Sequence, residues 1–162
     1  MHKVFLGIGG NIGNKPDNFS TVLRFISEDM GEIILRSPVY ETPPWGFHSD
    51  ENFWNQVLIV ETNFMPEELL DKIARIERWF GRERKPGGYM SRGMDIDILY
   101  YDDAVLETET LVIPHPLIPQ RKFVLVPLAD IAPGFVHPLL KLTTLQMLQN
   151  CPDNSDIKKI AW

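Results

Sequence analysis

Three groups of residues in this chain have the types and the spacing to do chemistry. The first is the pair Asp95 and Asp97, within Ser91-Arg92-Gly93-Met94-Asp95-Ile96-Asp97-Ile98-Leu99-Tyr100. In a strand, residues two apart point to the same face, with Cα atoms roughly 6.5 to 7 Å apart. Two carboxylates side by side repel each other unless they are solvated or a cation sits between them. Mg²⁺ is held in that way, by one or two carboxylates with phosphate oxygens completing the shell. Ile96, Ile98 and Tyr100 should face the other way, into a core.

The second group lies just upstream, in Arg82-Glu83-Arg84-Lys85-Pro86-Gly87-Gly88-Tyr89-Met90-Ser91-Arg92. Four cations and one acid give +3 there. The chain as a whole carries −6, so the remainder sums to −9. Arginine suits phosphate because its guanidinium is planar and always charged. Gly87 and Gly88 give this stretch backbone freedom. Arginines next to a two-carboxylate metal site are what phosphoryl transfer needs, since its catalysis is positioning and charge neutralisation. The third group is Phe53 and Asn55, which alternation puts on one strand face, where an aromatic ring and an amide can hold a flat polar ring. His115 stands between Pro114 and Pro116 with its backbone fixed, able to donate to a phosphate or a ribose. No second His or Cys has zinc-ligand spacing. Taken singly, each group also has a plain explanation: a solvated strand end, a basic turn, cross-strand packing, a structural histidine.

The elements that must position these groups follow from periodicity and punctuation. Val4 to Ile8 reads as a strand, and Gly9-Gly10-Asn11-Ile12-Gly13 as a turn. Phe19, Val22, Leu23, Phe25 and Ile26 recur at helical spacing up to Gly31. Ile33 to Val39 reads as a second strand, followed by a proline-stiffened loop Tyr40-Glu41-Thr42-Pro43-Pro44-Trp45-Gly46-Phe47. Phe53 to Thr62 reads as a third and central strand. Pro66 opens a helix where its missing N–H costs nothing. Leu69, Ile73, Ile76 and Phe80 form its stripe, Gly81 ends it, and Glu77 points near the following loop. After Tyr101, Ala104 to Leu106 reads as a short strand. Leu139 to Leu148 reads as a closing helix. Prolines cluster at 38–44, 114–119 and 127–138, which reads as rigid loops.

At 162 residues the chain is long enough for one domain, 1–162, with a sizeable core. Its acidic balance argues against a nucleic-acid partner. No apolar run reaches transmembrane length, so no membrane association is expected. The lone Cys151 reads as a reduced residue in a cytoplasmic protein. A dinucleotide-binding reading of the N-terminal glycines fails, because the pattern from Gly7 needs a third glycine where Ile12 stands.

In order along the chain stand Gly9-Gly10-Asn11-Ile12-Gly13, Tyr40-Glu41-Thr42-Pro43-Pro44-Trp45-Gly46, Phe53-Trp54-Asn55, Glu61-Thr62, Pro66-Glu67-Glu68-Leu69-Leu70 and Arg75-Ile76-Glu77. Gly81-Arg82-Glu83-Arg84, Arg92-Gly93-Met94-Asp95-Ile96-Asp97-Ile98-Leu99, Ile113-Pro114-His115-Pro116 and Arg121-Lys122-Phe123-Val124-Leu125-Val126-Pro127-Leu128 follow. With these motifs the chain resembles the 6-hydroxymethyl-7,8-dihydropterin pyrophosphokinases of folate biosynthesis, over nearly its whole length. The resemblance implies an α+β fold, a ferredoxin-like antiparallel sheet with helices packed on it in three α/β/α layers. It implies transfer of pyrophosphate from ATP to the pterin hydroxymethyl group, with release of AMP. Asp95 and Asp97 would bind two Mg²⁺ ions, with Arg82 and Arg92 as catalytic partners. Thr42, Pro43, Trp45, Phe53, Asn55, Asp95 and Phe123 would form the pterin pocket, Phe53 and Phe123 sandwiching the ring. Glu77, Arg84, Tyr89, Arg92, Ile98, His115 and Arg121 would line the ATP site. A monomer is expected.

The chain departs from the family pattern in three places. The usual Trp-Gly-Pro-Arg-Thr-Leu before the first aspartate is Tyr89-Met90-Ser91-Arg92-Gly93-Met94 here. The Tyr common at position 53 is Phe53. Polar ATP contacts of some members are replaced by Ala74, Thr110 and Val112.

Overall fold

The computed structural model describes residues 1–43, 52–81 and 93–162. The first element is β1 (His2–Gly10), followed by α1 (Lys15–Asp29). Asn14 starts α1, its side chain accepting from the Asp17 N–H at 3.0 Å, with Pro16 in the first turn. The α1 face carrying Phe19, Val22, Leu23 and Ile26 is buried. Gly31 ends the turn, donating its N–H to the Ile26 carbonyl at 3.1 Å. An extended run follows, bent at Ser37-Pro38 into β2 (Glu32–Arg36) and β3 (Val39–Thr42). Expectation placed one strand at 33–39 and a loop from Tyr40. The bend moves the second half on by a few residues, because Ser37 takes up the β4 hydrogen bond to Val57 at 2.9 Å.

β4 (Phe53–Thr62) leads to α2 (Pro66–Trp79), which buries Leu69, Ile73 and Ile76 as the stripe predicts. β5 (Asp95–Tyr101) follows, then a small hairpin of β6 (Leu106–Glu107) and β7 (Val112–Ile113). A single 3₁₀ turn, Ile118–Gln120, precedes α3 (Lys122–Ile131). α4 (Thr144–Gln149) and β8 (Lys158–Ile160) close the fold.

The main sheet runs β5-β1-β4-β3-β8, with β2 paired to the far end of β4. Neighbours along this path are antiparallel. Strand–helix–strand–strand–helix–strand connectivity with this order is ferredoxin-like. α1 and α2 cover one face, packing on Val4, Leu6, Ile8, Leu58, Val60, Ile96 and Ile98. α3 and α4 cover the other, on Phe5, Val57, Ile59, Leu99 and Tyr100. The three-layer arrangement is therefore present.

Tyr100 is an exception to the alternation expected of β5. The β1–β5 register shifts between Phe5 and Leu6, and the extra residue on β5 turns Tyr100 to the α3 side. Two further expectations are corrected. Leu139 to Thr143 is not helical, since Thr143 caps α4 by accepting from the Gln146 N–H at 3.2 Å. Pro127 lies inside α3 and not in a loop. That helix is hidden in the sequence by the β-branched Val124 and Val126 and by the proline, and tertiary packing of Val124, Leu125 and Leu128 overrides those local signals. β8 is too short and polar to announce itself.

Gly31 approaches β4 so closely that a Cβ there would lie 2.1 Å from the Glu61 carbonyl oxygen. Gly31→Ala is expected to lower stability by about 2 to 3 kcal/mol, measured by urea denaturation.

Candidate active site

The register of the central strands assembles one row of residues across the α3 face. Gly9 of β1 is opposite Asn55 of β4 on one side and Asp95 of β5 on the other. Gly7 is likewise flanked by Val57 and Asp97. Two positions on β1 without side chains thus separate the β4 amide from the β5 carboxylates, with Asn55 Oδ1 reaching over Gly9 and the Leu99 side chain against Gly7. That separation, two strand spacings, is about 10 Å between the outer backbones. Gly9 has no spare room for a side chain, because a Cβ would lie 2.6 Å from Asn55 Oδ1. The Asn55 amide is oriented by Thr42, whose Oγ1 accepts from Asn55 Nδ2 at 2.8 Å in a buried setting. Its Oδ1 therefore lies over Gly9, an acceptor on that face.

α3 supplies the roof. Arg121 immediately precedes it, buried, with Nη1 3.8 Å from Asp97 Oδ2. The Arg121 guanidinium also lies over the Phe123 ring, 5.4 Å from its centroid. Glu77, one turn from the end of α2, accepts from the Ile96 N–H at 2.9 Å. It thereby fixes the β5 backbone between the two aspartates. On the same outer edge of β5, the Leu99 carbonyl accepts from the His115 N–H at 3.0 Å.

His115 Nδ1 accepts from the Leu117 N–H at 3.1 Å, which leaves the ring proton on Nε2 as a donor. Burial pushes the His115 pKa down to about 4, with the Arg121 cation adding to the shift and Asp95 opposing it. The imidazole is neutral at physiological pH. Among the described residues no cluster of three or more His, Cys, Asp and Glu could hold a metal. Asp95 and Asp97 are two carboxylates on one strand face, which fits a hard cation completed by phosphate oxygens and not an all-protein cage.

An amide and two carboxylates on one sheet face, with a buried arginine and a neutral imidazole beside them, suit a polyphosphate next to a polar acceptor. The family model for 7,8-dihydro-6-hydroxymethylpterin-pyrophosphokinase (HPPK) matches residues 5–133. The chain belongs to that family. The 2-amino-4-hydroxy-6-hydroxymethyldihydropteridine pyrophosphokinase of Aquifex aeolicus is 42% identical over 144 residues, 87% of either chain. Folic acid synthesis protein FOL1 of Dictyostelium discoideum is 39% identical over 97% of this chain, which spans 24% of that longer protein. Among solved structures, HPPK-DHPS of Plasmodium falciparum with pteroate matches with a TM-score of 0.76 at 17% identity. That match covers 92% of this chain and 44% of the other, so the chain spans less than half of it. The resemblance at this identity is one of fold.

As an HPPK family member, the chain is an enzyme that transfers pyrophosphate from ATP to 6-hydroxymethyl-7,8-dihydropterin in folate biosynthesis. No helix among the described residues is long and apolar enough to cross a membrane.

Of the residues expected at the site, Thr42, Phe53, Asn55, Asp95 and Asp97 stand on β3, β4 and β5 of the main sheet. Glu77, His115, Arg121 and Phe123 approach from α2, the loop after β7, and α3. Pro43 follows directly on β3. Trp45, Arg82, Arg84, Tyr89 and Arg92 lie outside the described residues. The Ile98 side chain is buried with the α1 and α2 core, on the opposite face from the aspartates. What the residue presents outward is backbone. Ile96 N–H points to the outer edge of β5, and strand alternation sends the Ile98 N–H and C=O the same way. Sequence reading missed that Gly9 must lack a side chain for Asn55 Oδ1 to reach over β1. Two glycines alternating within an otherwise apolar strand were the available signal.

The lowered pKa of His115 makes stability pH-dependent. Between pH 6.5 and about 4 the unfolded chain binds a proton at this site that the folded chain refuses. Stability therefore falls as pH drops through that window, by up to about 1.4 kcal/mol per pH unit. His115→Gln is expected to flatten this slope in denaturation midpoints compared at pH 7 and pH 5.

Proposed function

We propose that the pterin binds beside Asn55, between the Phe53 and Phe123 rings, and that Asp95, Asp97 and Arg121 mark where the polyphosphate of ATP meets it. The row Asn55–Gly9–Asp95 carries this reading, since it puts an amide acceptor and a carboxylate on opposite sides of a position without a side chain. Asn55 Oδ1, held by Thr42, accepts from the amide or amino edge of the ring. Phe53 and Phe123 stack on its two faces, and Asp95 lies toward the hydroxymethyl end. Pro43, directly after β3, and Trp45 belong to the pocket by analogy with the family.

Asp95 and Asp97 would hold Mg²⁺, two ions by analogy with the family. When bound, Mg²⁺ supplies positive charge against the phosphate oxygens and lowers the pKa of a hydroxyl in its shell. In the transfer, the pterin hydroxymethyl oxygen forms a bond to the β-phosphorus of ATP. The bond from that phosphorus to the bridging α–β oxygen breaks, and AMP leaves with that oxygen. The hydroxyl proton leaves to Asp95, Asp97 or water. Arg82 and Arg92 neutralise charge that grows on the bridging oxygen and the phosphates, and Arg84 and Tyr89 belong to the ATP site by analogy with the family. Arg121 stays near Asp97 as a buried cation, and neutral His115 donates from Nε2. The adenosine lies along the outer edge of β5, taking the Ile98 backbone and the side of Glu77. With Ala74, Thr110 and Val112 at the positions noted above, backbone groups carry more of that recognition. The unit acting is residues 1–162 as one domain, monomeric in the cytoplasm and without a nucleic-acid partner.

Incubation with Mg-ATP and hydroxymethyldihydropterin tests the reading directly, with AMP and pterin diphosphate as products. Asp97→Ala is expected to cut turnover by more than about a hundred-fold while circular dichroism stays native. Near-normal turnover of that variant with Mg²⁺ would refute the metal role. Arg82→Ala and Arg92→Ala should each lower kcat by about ten-fold or more and change pterin affinity by less than two-fold, read by steady-state kinetics and calorimetry.

A further inference from the structure

We infer that Asp153, in the C-terminal tail, is a positioning residue for the pterin pocket, acting through the first turn of α3. The inference rests on the placement of Phe123 in that pocket. α3 begins without a cap of its own. Its cap position is Arg121, whose side chain makes no capping bond and is directed instead toward Asp97. A Ser, Thr, Asp or Asn there would stabilise the helix start, but the position is taken by a cation. The missing acceptor comes from 31 residues downstream. Asp153 Oδ2 accepts from the Lys122 N–H at 3.1 Å. A carboxylate at this end also opposes the positive end of the helix dipole.

The tail is itself held in place. Asp153 Oδ1 accepts from the Ser155 N–H at 2.9 Å and from the Ser155 hydroxyl. Lys122 Nζ donates to the Ser155 carbonyl at 3.0 Å. These contacts lower the Asp153 pKa, against the opposing effect of burial. Beyond them, β8 pairs with β3, Tyr40 opposite Lys159 and Glu41 opposite Lys158. Two residues on from Tyr40 is Thr42, which orients Asn55. Tyr40 also donates from its hydroxyl to Asp130 at the far end of α3. Trp162 ends the chain against Trp54 and Phe19, at ring distances of 6.1 Å. One continuous strap therefore joins β3, with its amide-orienting threonine, to the helix turn that carries Phe123. Asp153 is the residue of this strap that bonds the backbone of that turn, at the Lys122 N–H.

The test is steady-state kinetics on the full chain, with kcat expressed per folded enzyme. Asp153→Ala is expected to raise the pterin KM about five-fold, with kcat and the ATP KM within two-fold. Asp153→Asn, which keeps an acceptor for Lys122, should recover most of that change. Lys122→Pro removes the N–H that needs the cap, at a position where proline is tolerated and after an already extended Arg121. In that background Asp153→Ala should shift the pterin KM by less than two-fold. Hydrogen exchange gives a second readout: first-turn amides of α3 should exchange faster in Asp153→Ala. An unchanged pterin KM, equal rises for both substrates, or an equal Asp153→Ala effect in the Lys122→Pro background would overturn the inference. So would an Asp153→Asn enzyme as impaired as the alanine variant. Phe123→Ala separates the two readings. If it leaves the pterin KM unchanged, the pocket assignment fails; if it raises the KM and Asp153→Ala does not, only the role of Asp153 fails.

Discussion

The site depends on a strand that gives up two side chains. β1 is bonded on both edges, to β4 and to β5, and its residues otherwise fill cores on either face. At Gly7 and Gly9 it presents only backbone to the α3 face. A side chain at Gly9 would strike Asn55 Oδ1. Only hydrogen there lets the amide of β4 reach over β1. Glycine in a strand interior costs stability, and the hydrogen bonding on both edges offsets it.

Around these glycines, each side chain is fixed by a partner on another element. Thr42 sets the Asn55 amide, Glu77 holds the backbone between the aspartates, and Leu117 sets the His115 tautomer. Arg121 is the costliest member, a buried cation with Asp97 close by. Its position at the start of α3 deprives that helix of a local cap, and the tail supplies one through Asp153. A functional demand at one residue is thus met by a structural contact far along the chain.

The sheet explains why the two helical layers have unequal duties. α1 and α2 pack on an unbroken apolar face of β1, β4 and β5, and that layer serves stability. α3 and α4 pack on the other face only as far as Phe5, Val57 and Leu99. Beyond that point the face turns polar, and α3 continues over it with Arg121 and Phe123. The boundary between core and site runs across each strand between neighbouring same-face residues, from Phe5 to Gly7 and from Val57 to Asn55.

Much of this was legible in the residues themselves. The Asp95–Asp97 pair, the Phe53–Asn55 alternation, the α2 stripe and the central place of β4 all follow from periods of two or 3.6, which local sequence dictates. The family resemblance carried the reaction and the named site residues with it. Tertiary structure alone decided the rest. It turned Tyr100 to the opposite core through a shift in register, and it folded Lys122–Ile131 as a helix despite Val124, Val126 and Pro127. It also assigned Ile98 to the core and left only its backbone at the strand edge. Register, remote caps and the facing of glycines depend on which strand lies alongside, and a single strand's sequence does not contain its neighbour. Side-chain type and spacing are local properties, so the chemistry could be read early; the row that gathers it exists only once β1 lies between β4 and β5.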